Sequence, residues 1–415
     1  MTHSNDRRGV LIVAGGWHDE RPGGANKLPT DFARFLAARG HDVAYLCPSA
    51  EVDRPSTTAI DGVVLKRYPS PDAPSPSIDN VRRHLQSARE ATRAVLAERR
   101  VDALLGHNQL QYFGAAAVCP RRVRRCYGVH SPFAQELREH VAAAPTLRQR
   151  IAWKGASWME RRILSVSDLV HCDSAYSRAL MESTYPGLID GRAVVLPGWV
   201  DARKFRPRPA ERDLLRTRLG EPWREGMATF FTLRRLVPRM GLDNLIEAVA
   251  SLAGGGYRFR LVVGGEGPER PRLEALAGAR GVADRVAFIG RVAEERIADT
   301  FAAADCFVLP TRALECFGLI VLEAFASGVP VVGVPVGSIP EVMGPEFAAW
   351  IADDNQAPAL ARRMADVLDG RLVADPEQLR ARALEFEFHA VACRHERVLI
   401  GPSVREPEGA PRAGR

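Results

Sequence analysis

Apolar and polar positions along the 415 residues follow two rhythms. Short unbroken apolar runs bounded by Gly, Pro or Asp read as buried strands, and longer stretches with apolar residues every three or four positions read as helices. In the first half the runs are Val10–Ala14, His41–Cys47, Val63–Arg67, Val101–His107, Arg125–His130 and Asp168–Cys172. In the second they are Ala228–Leu233, Arg260–Gly264, Arg285–Val292, Cys306–Pro310 and Val329–Gly333. Helical spacing fills the gaps over Lys27–Arg39 (stopped by Gly40), 79–100, Pro132–Leu164, Leu242–Leu252, Ala357–Leu368 and Phe388–Leu399. Strand, loop, helix, strand in repetition predicts parallel, doubly wound sheets with ligands at the carboxyl ends of the strands. The pattern is interrupted once by Phe205-Arg206-Pro207 and the basic, proline-containing run to Pro209, which reads as an interdomain linker.

The helical stretch Pro132–Leu164 carries Trp153, Trp158 and several arginines. Basic amphipathic helices can dock on anionic lipid, but the preferred expectation is one buried face and one solvated face. Residues 48–80, rich in Pro, Ser and Asp, read as surface loops around the single strand Val63–Arg67, and 401–415, without apolar periodicity, as a disordered tail.

Composition changes this picture little. The length suits two domains with a core each. Seven cysteines without a C-x-x-C pair suggest buried thiols in a reducing cytoplasm. The N-terminus has too short an apolar run for a signal peptide, and no run approaches a membrane span. The net charge of +7 is spread along the chain. Its densest run, Arg121–Arg125, reads as a solvated edge before a strand, and no nucleic-acid-binding module accompanies it.

Chemistry concentrates in one stretch. After the strand Cys306–Pro310 comes a loop with Glu315, then Gly318 where a helix starts, Glu323 in its second turn, and Gly328 where it ends. Free N–H groups at a helix start form an anion site, above all for phosphate. Carboxylates beside it suit the hydroxyls that flank a diphosphate, one for a sugar and one for a ribose. Two glutamates with seven residues between them are also what a solvated helix face shows, so the apolar flanks carry the reading. ECFGLIVLEAFASGVPVVGVPVGSIPEV resembles the donor-site signature of the retaining glycosyltransferases of family 4 (glycosyl transferases group 1), and GGANKLPTDFARFLAARGHDV follows that family's pattern near the N-terminus.

The resemblance implies an α/β chain of the GT-B fold: two facing Rossmann-like domains with parallel sheets and a C-terminal helix that crosses back to the first domain. Its boundaries are an acceptor domain over 1–200, a linker over 201–210, a donor domain over 211–385, a closing helix over 386–400, and the tail. It implies retaining transfer of a hexosyl unit from a nucleoside-diphosphate sugar, with UDP or GDP as the nucleotide and no other cofactor. His130 and Glu315 are the implied catalytic pair. Gly23, Gly24, Arg235, Arg239, Gly265, Val292, Phe317, Gly318, Leu319 and Glu323 are the implied donor contacts.

The chain departs from the family where Met240 replaces the lysine expected as a second phosphate ligand. Arg234 or Arg239 could supply that charge, or the site relies on one cation. Asn-Gly is usual where Gly198-Trp199 stands, so Trp199 either packs at the hinge or floors the acceptor pocket. No D-x-D triplet occurs, so no metal is expected.

Acceptors consistent with the resemblance are a polysaccharide, a glycolipid or a specialised metabolite such as an aminocyclitol. The oligomeric state is open, and a peripheral membrane contact is allowed. An inactive sugar-nucleotide-binding paralogue is the alternative. A membrane-docked assembly factor is a second rival, and a nucleotide-cofactor oxidoreductase lacks its G-x-G-x-x-G in both halves.

Overall fold

The computed structural model describes residues 7–49, 55–69, 78–139, 145–223 and 226–401. Two sheets carry the fold. The first has strands β1 (Gly9–Val13), β2 (Asp42–Pro48), β3 (Ser56–Ile60), β4 (Val63–Tyr68), β5 (Ala103–Gly106), β6 (Arg124–Val129), β7 (Leu169–Cys172) and β8 (Ala193–Val195), in the order β3-β4-β2-β1-β5-β6-β7-β8. The second has β9 (Ala228–Leu233), β10 (Phe259–Gly264), β11 (Val286–Gly290), β12 (Cys306–Leu309) and β13 (Val331–Gly333), in the order β11-β10-β9-β12-β13.

Strand pairs are parallel, such as Val10 with Val43 and with Ala103, or Phe231 with Val262 and with Phe307. The one antiparallel pair whose register is defined is β3 with β4. Most of β1, β2, β9, β10 and β12 is buried residue after residue, as parallel strands covered on both faces must be.

Contacts gather into two compact units. The first holds Met1–Gly128, Arg162–His171 and Ala392–Arg415, and the second Val129–Arg161 and Cys172–Val391. In the first, the closing helix Phe388–Leu399 contributes its second half: Glu396 binds His41 at 2.9 Å and Arg39 at 2.8 Å. In the second, β9–β13 and their helices enclose a core centred on Phe230, Phe231, Phe301 and Phe307, into which Phe205 is also fully buried.

Several local expectations shift. The first helix spans Gly24–Ala38 and begins three residues early, because the Gly23 carbonyl accepts from both Asn26 and Lys27. Ser56–Ile60, expected as loop, is an edge strand: four of its five residues are exposed, so no apolar run marks it. The polar helix runs Ile78–Glu98. Pro376–Leu384 is a further helix before the closing one. The tail beyond Gly401 lies outside the described residues.

Candidate functional site

Three loops at the carboxyl ends of β9, β10 and β12 are stitched together through backbone. Arg234 N–H donates to Gly264, Leu236 N–H to Glu266, and Arg312 N–H to Arg239. Gly265 has φ 113°, and a Cβ there would stand 1.9 Å from the Arg234 carbonyl oxygen. Only glycine allows that approach. Gly318, with φ 81°, precedes the helix Leu319–Ala326 without a side-chain cap. The N–H groups of Leu319 and Ile320 find no backbone carbonyl among the described residues. Such an uncapped helix start is the local geometry on which the sequence reading rests its expectation of an anion site.

Glu315 is held at this helix start. Its Oε2 accepts from Arg234 Nη2 at 2.5 Å and from Thr311 Oγ1 at 3.0 Å, and the Arg234 and Glu315 side chains are 7% and 12% exposed. Its Oε1 lies on the Gly318 side and takes no hydrogen bond among the described residues. Its own carbonyl accepts from Ser338 N–H and Oγ. A Cβ on Gly337 would approach that carbonyl to 2.2 Å. Glu323, in the second turn, is half-buried.

The cations divide unevenly. Arg235 is exposed. The Arg234 side chain is buried against the Met240 sulfur, 2.8 Å away, so the thioether packs where a second lysine is expected while the Arg234 charge is paired with Glu315. Arg239 donates to the Leu314 carbonyl at 3.3 Å and lies 3.8 Å from Glu136. Burial pulls the Arg239 guanidinium below its usual value; Glu136 and Glu315 oppose this, while the like charges of Arg234 and Arg235 add to it. An arginine in a protein keeps its proton, so the cluster is short of negative charge and an anion would relieve it.

His130 follows β6 within the same unit. Its Nδ1 lies 2.9 Å from Asp173 Oδ2, and Asp173 is buried. Burial alone disfavours a charged ring, but Asp173, with Glu136 beyond it, outweighs burial and raises His130 above its ordinary value. Ser174, at the start of helix Ala175–Thr184, makes a full capping box, and its Oγ also donates to the Cys316 carbonyl at 2.5 Å. His130-Asp173-Ser174 is thus tied to the loop that carries Glu315.

The remaining expected residues serve differently. Phe317 is buried edge-on to Phe386 at 5.8 Å, and a Cβ on Gly198 would strike Leu319 and Phe317 within 3.0 Å. The Phe317 side chain packs inward, and Leu319 is half-buried. Val292 lines a cleft of about 650 Å³ along β11 with Phe288, Ile289, Arg291 and Arg296. Trp199 is buried against Phe388 at 5.5 Å, which answers its open question in favour of packing. Gly23 and Gly24 lie in the first unit, where a Cβ on Gly23 would meet nothing within 4 Å. Among the described residues no cluster of His, Cys, Asp or Glu could hold a metal ion.

Thr311, Asp173 and Glu136 escaped the sequence reading. Asp173 had a signal, a carboxylate at a strand's carboxyl end. Thr311 and Glu136 had none, since Thr311 meets Glu315 only through the shape of the loop between them and Glu136 meets Arg239 far along the chain.

Comparison with known proteins agrees with this geometry. Residues 22–204 match the family model Glycosyltransferase Family 4, and 217–386 match Glycosyl transferases group 1. A GDP-mannose-dependent alpha-(1-6)-phosphatidylinositol monomannoside mannosyltransferase of Mycobacterium tuberculosis is 29% identical over 87% of this chain and 89% of its own. An alpha-D-kanosaminyltransferase of Streptomyces kanamyceticus is 30% identical over 66% and 68%. Sucrose-phosphate synthase from Thermosynechococcus elongatus superposes with a TM-score of 0.78 over 94% of this chain and 98% of its own, at 22% identity. With two family models that tile the chain and a shared GT-B fold, it belongs to the group 1 glycosyltransferases of family 4 and is a hexosyltransferase acting from a nucleotide sugar.

Proposed function

We propose that the protein is a metal-independent, retaining cytoplasmic enzyme that moves a hexosyl unit from a UDP- or GDP-sugar to an acceptor hydroxyl. The acceptor class is a polysaccharide, a glycolipid or a specialised metabolite such as an aminocyclitol. The observation that carries this reading is Arg234 on Glu315 and Arg239 on the Leu314 carbonyl, with Arg235 near enough to add its charge, in the loops that lead to the uncapped start of helix Leu319–Ala326.

In this reading the diphosphate lies on the N–H groups of Leu319 and Ile320 and takes the charge of Arg235 and Arg239. Preorganised cations and a helix start then stabilise the leaving diphosphate, the task a metal ion performs elsewhere. Glu315, held by Arg234 and Thr311, turns Oε1 to the sugar hydroxyls, and Glu323 accepts from the ribose. His130, oriented by Asp173, donates to the transferred sugar. Phe317, Gly318, Leu319, Gly265 and Val292 contribute backbone and shape, and Gly23 and Gly24 leave room for a substrate beside the first helix.

Thermal unfolding with UDP, GDP, ADP or dTDP tests the donor site. One nucleotide should raise the unfolding temperature equally with and without EDTA. At a hundred times its Kd it adds about 2.7 kcal/mol to the folded state. A shift abolished by EDTA ends the metal-independent reading, no shift with any nucleotide ends the donor-site reading, and a shift without turnover supports the inactive paralogue. Anomeric analysis of the product by NMR decides retention.

A further inference from the structure

The helix Leu147–Val166 differs from the sequence expectation of one buried and one solvated polar face. It does bury one side: Ala156, Met159, Glu160, Ile163 and Leu164 are all under 9% exposed. The other side, however, is apolar at its centre. Leu147, Ile151 and Trp158 are 74%, 58% and 59% exposed. Six large apolar side chains stand exposed among the described residues, and this helix carries three of them. At about 100° per residue they fall within about 40° of one another around the axis, along roughly 16 Å of helix. They form one stripe.

Charge is just as one-sided. Arg148, Arg150, Lys154, Arg161 and Arg162 are exposed. On the same angular count Lys154, Arg161 and Arg150 flank one side of the stripe and Arg162 and Arg148 the other. The helix has a single carboxylate, Glu160, which is fully buried between the Phe133 N–H and the Tyr185 hydroxyl. The exposed face therefore presents five cations, no anion and a central apolar ridge. Lys and Arg stems can lie along apolar surface while their charges reach outward. An apolar centre with cations on both flanks suits a helix lying in the interface of an anionic bilayer.

We propose that this face docks the protein on an anionic lipid surface, with Leu147, Ile151 and Trp158 entering the headgroup boundary and the five cations meeting lipid phosphates. The inference does not rest on the transferase reading, because its test reads binding without turnover. The full chain is sedimented with phosphatidylcholine vesicles, with and without phosphatidylglycerol, at low and high salt.

Binding is expected only to the anionic vesicles and should weaken with salt. Arg148→Gln/Arg150→Gln/Lys154→Gln should bind about a hundredfold more weakly, at about fivefold per cation. Leu147→Ser/Ile151→Ser/Trp158→Ser should lose binding while keeping the wild-type unfolding temperature; if that variant does not fold, the charge variant alone decides. No binding to anionic vesicles at low salt overturns the proposal, as does binding that survives the charge variant. A wild-type dimer in light scattering that the apolar variant splits also overturns it, since a second copy would then cover the stripe.

Discussion

At the scale of single residues, the donor loop turns on a buried charge pair that adjacent positions along the chain do not reveal. Arg234 and Arg235 are neighbours, yet one is buried on Glu315 and the other exposed. Both follow the end of β9 in the loop, where the Arg234 N–H is held by the Gly264 carbonyl. Arg234→Ala would leave Glu315 as a buried unpaired carboxylate, a loss that typically costs about 3–5 kcal/mol. It is expected to lower kcat/KM for donor by at least about a hundredfold and to lower the unfolding temperature. Adding Met240→Lys should restore part of both, because the Met240 sulfur already lies 2.8 Å from the Arg234 guanidinium. Steady-state kinetics and thermal unfolding of the single and double variants check this. A double variant no better than Arg234→Ala would show that the charge acts only from position 234.

Elements impose their own constraints. Glu160 accepts from the Phe133 N–H at 3.0 Å and the Tyr185 hydroxyl at 2.6 Å, so it ties the start of helix Phe133–Glu139 to its neighbours. Burial outweighs these hydrogen bonds and lifts its carboxyl from 4.5 to about 7. The folded state therefore holds a proton that the unfolded chain has already released between those values. Stability is full below about pH 4.5 and falls as pH rises towards 7, by roughly 3 kcal/mol at most. Glu160→Gln keeps the site neutral and should flatten that part of the curve in denaturant unfolding at stepped pH. Loop shape makes a second prediction. Gly337→Ala would drive a Cβ into the Glu315 carbonyl at a φ of +65°, costing about 2–4 kcal/mol with loss of donor binding. Gly278→Ala, in helix Arg270–Ala279 with nothing within 4 Å, should instead stabilise by about 0.5–1 kcal/mol.

Across the whole molecule, legibility followed the range of the interactions. Eleven of the thirteen described strands, though not the short Ala193–Val195, and the helix between Gly318 and Gly328 could be read because each depends on local apolar runs and glycine positions. The edge strand Ser56–Ile60 could not, because it is polar and exists only by pairing with β4. All seven cysteines are free thiols and six are buried, as their apolar surroundings suggested. No helix among the described residues is long and apolar enough to cross a membrane. Net charge alone misled about the basic helix. A value of +7 over the chain says nothing of one face on which five cations stand without a carboxylate.

The amino-acid sequence by itself determined the α/β architecture and the family, because periodic burial and glycine-dependent turns are written in neighbouring residues. It also located Glu315, His130 and the arginine loop after strand ends, and Glu323 in the second turn of a helix. Only the tertiary structure decided that Arg234 rather than Arg235 pairs with Glu315, that Asp173 orients His130, and that Leu147, Ile151 and Trp158 remain uncovered. Those outcomes depend on which side of a strand or helix meets another element. That is settled by packing between residues far apart in the chain, which a one-dimensional pattern does not contain.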